Sequence, residues 1–134
     1  MVEMKVSLGD DQKVTARWDG FEVKTDQPVS YGGEGTAPSP FELFLASLAT
    51  CAAFYVLEFC RTRDIPTEGV SLVERLITSE DGKEDKAIEM EIILPPEFPV
   101  KYEKAVVRAA GMCHVKKTIL NPPEITLTAR RAAG

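Results

Sequence analysis

The sequence is poor in the residues that usually advertise a function. Its 134 residues include one histidine, one tryptophan and three cysteines. The histidine, His114, adjoins Cys113, and no Cys-x-x-Cys pair occurs, so the ligand spacing of a structural zinc site is missing and no metal is expected. Three cysteines are too few, and too odd in number, for the disulfide framework of a secreted domain. The N-terminus, MVEMKVSLGDDQK, lacks the charged-then-apolar layout of a signal peptide, which points to a reducing cytoplasm. Positive charge is also scarce. Lys and Arg total 16 against 21 Asp and Glu, a net charge of −5, and basic residues come at most in pairs such as Lys116-Lys117 and Arg130-Arg131. With no basic stripe there is no path for phosphates, and no nucleic-acid partner is expected.

Charge-free apolar runs of membrane length are missing too. The longest charge-free apolar stretch, residues 43–57, spans only about 22 Å as a helix, against roughly 30 Å of bilayer hydrocarbon. Glu42 and Glu58 close it at both ends. It reads as a buried core helix, with no membrane partner. The GGEGT stretch lacks the third glycine of a dinucleotide fingerprint and the Lys-Ser of a phosphate loop, so it implies no nucleotide. What is present is 44% hydrophobic and 28% charged residues, ordinary for a globular domain. The length suits a single domain over residues 1–134.

The first 27 residues read as a β-meander: MVEMKVSL, a GDDQ turn, KVTARW, Asp19-Gly20, then FEVKT. Asp-Gly between two strand-like runs is a type I′ hairpin signal. SYGGEGTAPSP is a loop. Ser39-Pro40 opens a long helix, serine as N-cap and proline in the first turn, running to about Arg63 before Asp64-Ile65-Pro66 ends it. Being apolar nearly all round, this helix needs cover on most sides, and a partner subunit is an economical source. VSLVERLITS and AIEMEIIL form a second pair of strands around EDGKEDK. PVKYEKAVVRAA is helical with Gly111 as its stop, CHVKKTIL is another short helix, and EITLTAR alternates as a final strand. The order predicts an α+β fold with a mostly antiparallel sheet.

Among the cysteines, Cys60 lies nine residues after Cys51. On a helix that places it on the opposite face and about 13 Å along, so it reads as packing. Cys113 opens a helix, where unpaired backbone N–H groups favour a thiolate; it reads equally as a small residue in a tight turn. Cys51 sits mid-helix in LASLATCAAFY, where burial alone raises a thiol pKa. To react it needs a cation or hydrogen bonds at sulfur, supplied by another segment.

GGEGTAPSPFELFLASLATCAA, followed some sixty residues later by CHVKKTI, resembles the OsmC/Ohr family of thiol-dependent peroxidases. The resemblance covers most of the chain. It implies the OsmC-like fold: mostly antiparallel sheets around a long central helix, in an intertwined homodimer whose halves exchange strands, with active sites near the subunit interface. It implies that Cys51 is peroxidatic and Cys113 resolving, that the substrate is an apolar organic hydroperoxide, and that an external dithiol restores the pair. No metal or organic cofactor is implied. Strongly active relatives hold the thiolate with an arginine of the N-terminal hairpin, and Arg17 is the candidate here. Trp18, however, stands directly before Asp19-Gly20, and strand alternation turns neighbours to opposite faces unless a bulge intervenes. Glu42 follows Phe41 instead of following Pro40 directly, and serves equally as an acid at the helix N-terminus. Glu58 lies near the Cys51 face but two turns along, and neither glutamate is assigned to catalysis. His114 follows Cys113 where relatives usually carry proline, and an exposed imidazole is expected. The expected activity is thiol-dependent peroxide reduction in oxidative-stress defence. The alternative is a catalytically weak dimer that binds small molecules or senses redox state.

Overall fold

The computed structural model describes residues 1–133. Strands β1 (Lys5–Leu8), β2 (Val14–Trp18) and β3 (Phe21–Thr25) precede the long helix α1 (Pro40–Arg61); β4 (Ser71–Thr78) and β5 (Asp85–Ile93) follow, then helices α2 (Glu103–Gly111) and α3 (His114–Leu120). Both sheets are antiparallel. This is the α+β order read from the sequence. The chain divides into two compact units, Met1–Ser47 and Leu48–Gly134, and the boundary falls inside α1.

In the first unit the strands form a meander in the order β1-β2-β3. Asp19 and Gly20 take φ of 44° and 83°, the pair of positive angles a type I′ turn requires, and Trp18 pairs directly with Phe21. The β2–β3 register runs from Val14↔Thr25 to Trp18↔Phe21 without a bulge. Alternation therefore gives one polar face with Lys5, Ser7, Thr15, Arg17, Glu22 and Lys24, and one apolar face with Val6, Ala16, Trp18, Phe21 and Val23. The apolar face is poorly covered: Val6, Leu8 and Phe21 are exposed, and every buried apolar side chain among the described residues belongs to the second unit.

The loop that follows is held by Asp26, the one fully buried charged residue among those described. Its carboxylate accepts the backbone N–H of Gln27 (2.8 Å) and of Thr36 (3.1 Å) and the Thr36 hydroxyl (2.6 Å). The Thr36 hydroxyl and N–H, together with the Gln27 N–H, lower its pKa to about 2 against the opposing pull of burial. The loop glycines serve this backbone path. A Cβ on Gly33 would lie 2.0 Å from the Gln27 carbonyl oxygen, and Gly32 has φ of 91°. At the start of α1, the Ser39 hydroxyl accepts the Glu42 N–H (3.2 Å) while the Glu42 carboxylate accepts the Ser39 N–H (3.1 Å). That is a capping box, and it fixes Glu42 as the terminal acid that the sequence offered as one of its two readings.

In the second unit, Leu48, Ala52, Val56 and Phe59 form a buried stripe along α1 at helical spacing. They share a core with Cys60, Ile65, Phe98, Val106, Ala110 and Cys113. By length and composition alone α1 is long and apolar enough to cross a bilayer; the buried stripe is instead part of this core. The helix stops at Arg61, two residues before the expected end, where Asp64 turns to φ of 51° and the Ile65 N–H closes back on the Cys60 carbonyl (2.9 Å). Strands β4 and β5 form a hairpin with a register shift at Ile77/Thr78. Its half-buried face carries Leu72, Leu76, Ile88, Met90 and Ile92 and, among them, Glu74 opposite Met90.

One expectation is corrected. Residues 124–130, read as a final strand from their alternation, form none. A strand needs a ladder partner, and the segment has none in this chain among the described residues. Ile125 and Leu127 stand 82% and 95% exposed.

Candidate active site

Two of the three cysteines converge, both within the second unit. Cys51 is brought there by the middle of α1, Cys113 by the tight turn after α2. Gly111 is the last helical residue of α2; the Met112 and Cys113 N–H groups close on the carbonyls of Ala109 (3.0 Å) and Ala110 (3.3 Å). Cys113 is then the N-cap of α3, its sulfur accepting the Lys116 N–H at 3.5 Å. The sequence signal for this placement was the glycine stop followed directly by a polar-capped helix.

The two thiols are not equivalent. Burial pushes the Cys51 thiol up, but the Val115 N–H, the Cys113 S–H and the His114 N–H outweigh it and bring Cys51 below the ordinary thiol range. Burial dominates at Cys113 and raises it; the Lys116 N–H opposes this, and the neighbouring Cys51 adds to the rise. Cys51 is therefore the more acidic thiol of the two. The Cys113 proton has two acceptors, the Leu48 carbonyl oxygen at 3.9 Å and the Cys51 sulfur. Once Cys51 is a thiolate, the charged acceptor is the stronger one. Cys113 is fully buried, whereas Cys51 is half-buried and keeps part of its surface open.

Cys60 stays outside this pair, fully buried near the end of α1, its pKa raised by burial against a weaker pull from Arg63. Arg17 has partners of its own within the first unit. On the polar face of the first sheet, its Nε donates to Glu22 Oε2 (2.8 Å) and one terminal nitrogen donates to Ser7 Oγ (3.1 Å). The absence of a bulge leaves it on the face opposite Trp18. Glu58 pairs with Arg61 at 3.7 Å. The His114 imidazole is exposed; the backbone N–H of His114 is what serves Cys51. No cluster of metal-ligating side chains occurs among the described residues.

Two carboxyls withdrawn from solvent, one fully and one in part, escaped the sequence reading. Asp26 is one; nothing in TDQPV marks it, because its partner Thr36 lies across a loop. Glu74 is the other. Its Oε2 is closed to solvent without a hydrogen-bond partner, and burial raises its pKa. In sequence it looks like any charged residue in an alternating strand.

The chain is an α+β domain in which two unlike cysteines meet, a half-buried one on a long helix and a fully buried one at the cap of a later short helix. The comparisons name the family. The family model described as OsmC-like protein matches residues 33–128, and the chain belongs to that family. Its fold is similar to that of an osmotic stress induced and detoxification response protein from Psychrobacter arcticus, with 27% identity, a TM-score of 0.74 and 88% of each chain covered. It is also similar to an organic hydroperoxide resistance protein OsmC from Legionella pneumophila, with 22% identity, a TM-score of 0.59, and 89% of this chain and 88% of that one covered. An organic hydroperoxide resistance protein from Elizabethkingia anophelis shares the fold at 17% identity and a TM-score of 0.59, with 88% and 87% covered. A search of the curated proteins found no match.

Proposed function

We propose that this OsmC-family chain is a thiol-dependent peroxidase that reduces organic hydroperoxides to alcohols. The observation that carries the reading is the split between the two thiols: a half-open Cys51 with its pKa lowered beside a buried Cys113 with its pKa raised. The Cys51 thiolate attacks the terminal oxygen of the hydroperoxide. The S–O bond forms as the O–O bond breaks, the alkoxide takes a proton from water, and Cys51 is left as a sulfenic acid. Cys113 then attacks that sulfur and expels water, forming a Cys51–Cys113 disulfide. An external dithiol supplies the two electrons that restore both thiols. The apolar surroundings of Cys51 favour an organic over an inorganic peroxide.

A homodimer belongs to the same reading. The N-terminal sheet leaves Val6, Leu8 and Phe21 exposed; Phe41, Phe44 and Phe54 of α1 are exposed at 39%, 39% and 53%, and the 124–130 segment lacks a ladder partner. A second copy supplies cover for all three.

A second reading, a binding or redox-sensing dimer without turnover, has one observation behind it. Arg17, the cation that the resemblance implies for the thiolate, is engaged by Glu22 and Ser7. Mass spectrometry of the reduced protein after one equivalent of cumene hydroperoxide, with hydrogen peroxide in parallel, separates the two. The peroxidase reading expects a Cys51–Cys113 disulfide, formed faster with the organic peroxide and lost in Cys51→Ser. Thiols that stay reduced, or Cys60 oxidising as readily, would sink it.

A further inference from the structure

The oxidised pair presents two sulfurs to an incoming thiol, and the structure makes them unequal. Cys113 has no exposed surface and lies in the core with Leu48, Val106 and Ala110, its sulfur between the Leu48 carbonyl oxygen and the Lys116 N–H. Cys51 is packed against that core but remains half-open. We propose that the reducing thiol attacks the sulfur of Cys51, so that the first product is a mixed disulfide on Cys51 and a free thiol on Cys113. This rests on the reading that the two cysteines bridge.

Thiol–disulfide exchange requires the nucleophile to approach a sulfur directly, along the extension of the bond that breaks. Cys113 has no exposed surface, shares the core with Leu48 and Val106 and caps the first turn of α3, so reaching its sulfur requires that packing to open. Cys51 keeps part of its surface exposed. Leaving-group strength works the other way: the more acidic thiol departs more readily, which by itself favours attack on Cys113 and release of Cys51. Access decides first, because a sulfur that cannot be approached has no leaving group to lose.

The step balances simply. The thiolate of the reductant forms a bond to Cys51 Sγ, the Cys51–Cys113 bond breaks, and the Cys113 thiolate takes a proton from water. A second thiol of the reductant then attacks the reductant's own sulfur in the mixed disulfide. It releases the Cys51 thiolate and carries both electrons' worth of oxidation away as the reductant's disulfide. Cys113 thus regains its proton first, and is in place as a hydrogen-bond donor when Cys51 re-emerges.

The test starts from a bridge made with diamide, so that it can be read whether or not peroxide is reduced. The oxidised protein, with Cys60 replaced by serine, is mixed briefly with glutathione, quenched in acid, alkylated with N-ethylmaleimide and digested. The earliest time points are expected to show glutathione on Cys51 and maleimide on Cys113, exceeding the reverse pattern by about tenfold or more. Glutathione found first on Cys113, an even split, or no bridge with diamide would overturn the proposal. A bridge that forms with diamide but not with cumene hydroperoxide removes the peroxidase reading and leaves the site of attack still decided by the adduct.

Discussion

The acidity of Cys51 is set by groups that belong to its neighbours' backbone. Two peptide N–H groups, of Val115 and His114, and the S–H of Cys113 lower its pKa. Iodoacetamide at neutral pH is expected to modify Cys51 well before Cys60 or Cys113, with a rate midpoint below that of either. His114→Pro removes one donor and raises that midpoint, while His114→Ala leaves it in place; equal effects from both would mean that the imidazole matters after all. Asp26 gives a second expectation. Its folded pKa of about 2 lies below the unfolded value of roughly 3.9, so its contribution is fully present above about pH 4 and is lost as pH falls through 2. Asp26→Asn should loosen the 27–37 loop, read as faster proteolysis there, and flatten the acid limb of the stability profile. That Cys51 and Cys113 come together was foreseeable from sequence through the family resemblance of the segments that carry them. The N–H donors were not, since any residue but proline supplies one, and which sulfur they reach is a matter of packing.

At the scale of elements, the sequence carried most of the fold through local signals that tertiary structure had no reason to override. Asp19-Gly20 demanded its turn, Ser39-Pro40 its helix start, and the alternation from Ile88 to Ile92 its strand. What failed was the 124–130 strand. Alternation describes a surface suited to pairing, whereas a strand also needs a neighbour's N–H and C=O groups. The β4–β5 hairpin shows a different tension, a carboxyl set among Leu72, Leu76 and Met90. Glu74 has its pKa raised by burial, so its carboxyl is best tolerated at acid pH, and the stability it permits falls as pH rises through that raised value. Glu74→Leu is expected to stabilise the protein at neutral pH by about 1–3 kcal/mol, the usual cost of a buried acceptor without a donor. Thermal unfolding across pH checks it, since the gain should shrink towards pH 4. Gly33→Ala should do the opposite, because its Cβ meets the Gln27 carbonyl and the loop must shift or strain.

For the molecule as a whole, the exposed apolar inventory is the fact to explain. Sedimentation at micromolar concentration is expected to give a dimer. Removing residues 122–134 should weaken it, because Ile125 and Leu127 leave with that segment. A monomer with every apolar patch still exposed would refute the dimer proposal directly.

The placement of Cys51 and Cys113 has an electrochemical consequence. A bond between them would close a loop of roughly 60 residues, and by the chain-entropy account such a crosslink stabilises the folded state by about 4 kcal/mol. Folding and oxidation would then be coupled through one bond: whatever stabilises the folded oxidised form more than the folded reduced form makes the bond harder to reduce, and the melting temperature of the protein would track its redox state. A thermal scan in a graded thiol buffer would then trace the reduction potential of the pair with no electrode and no substrate.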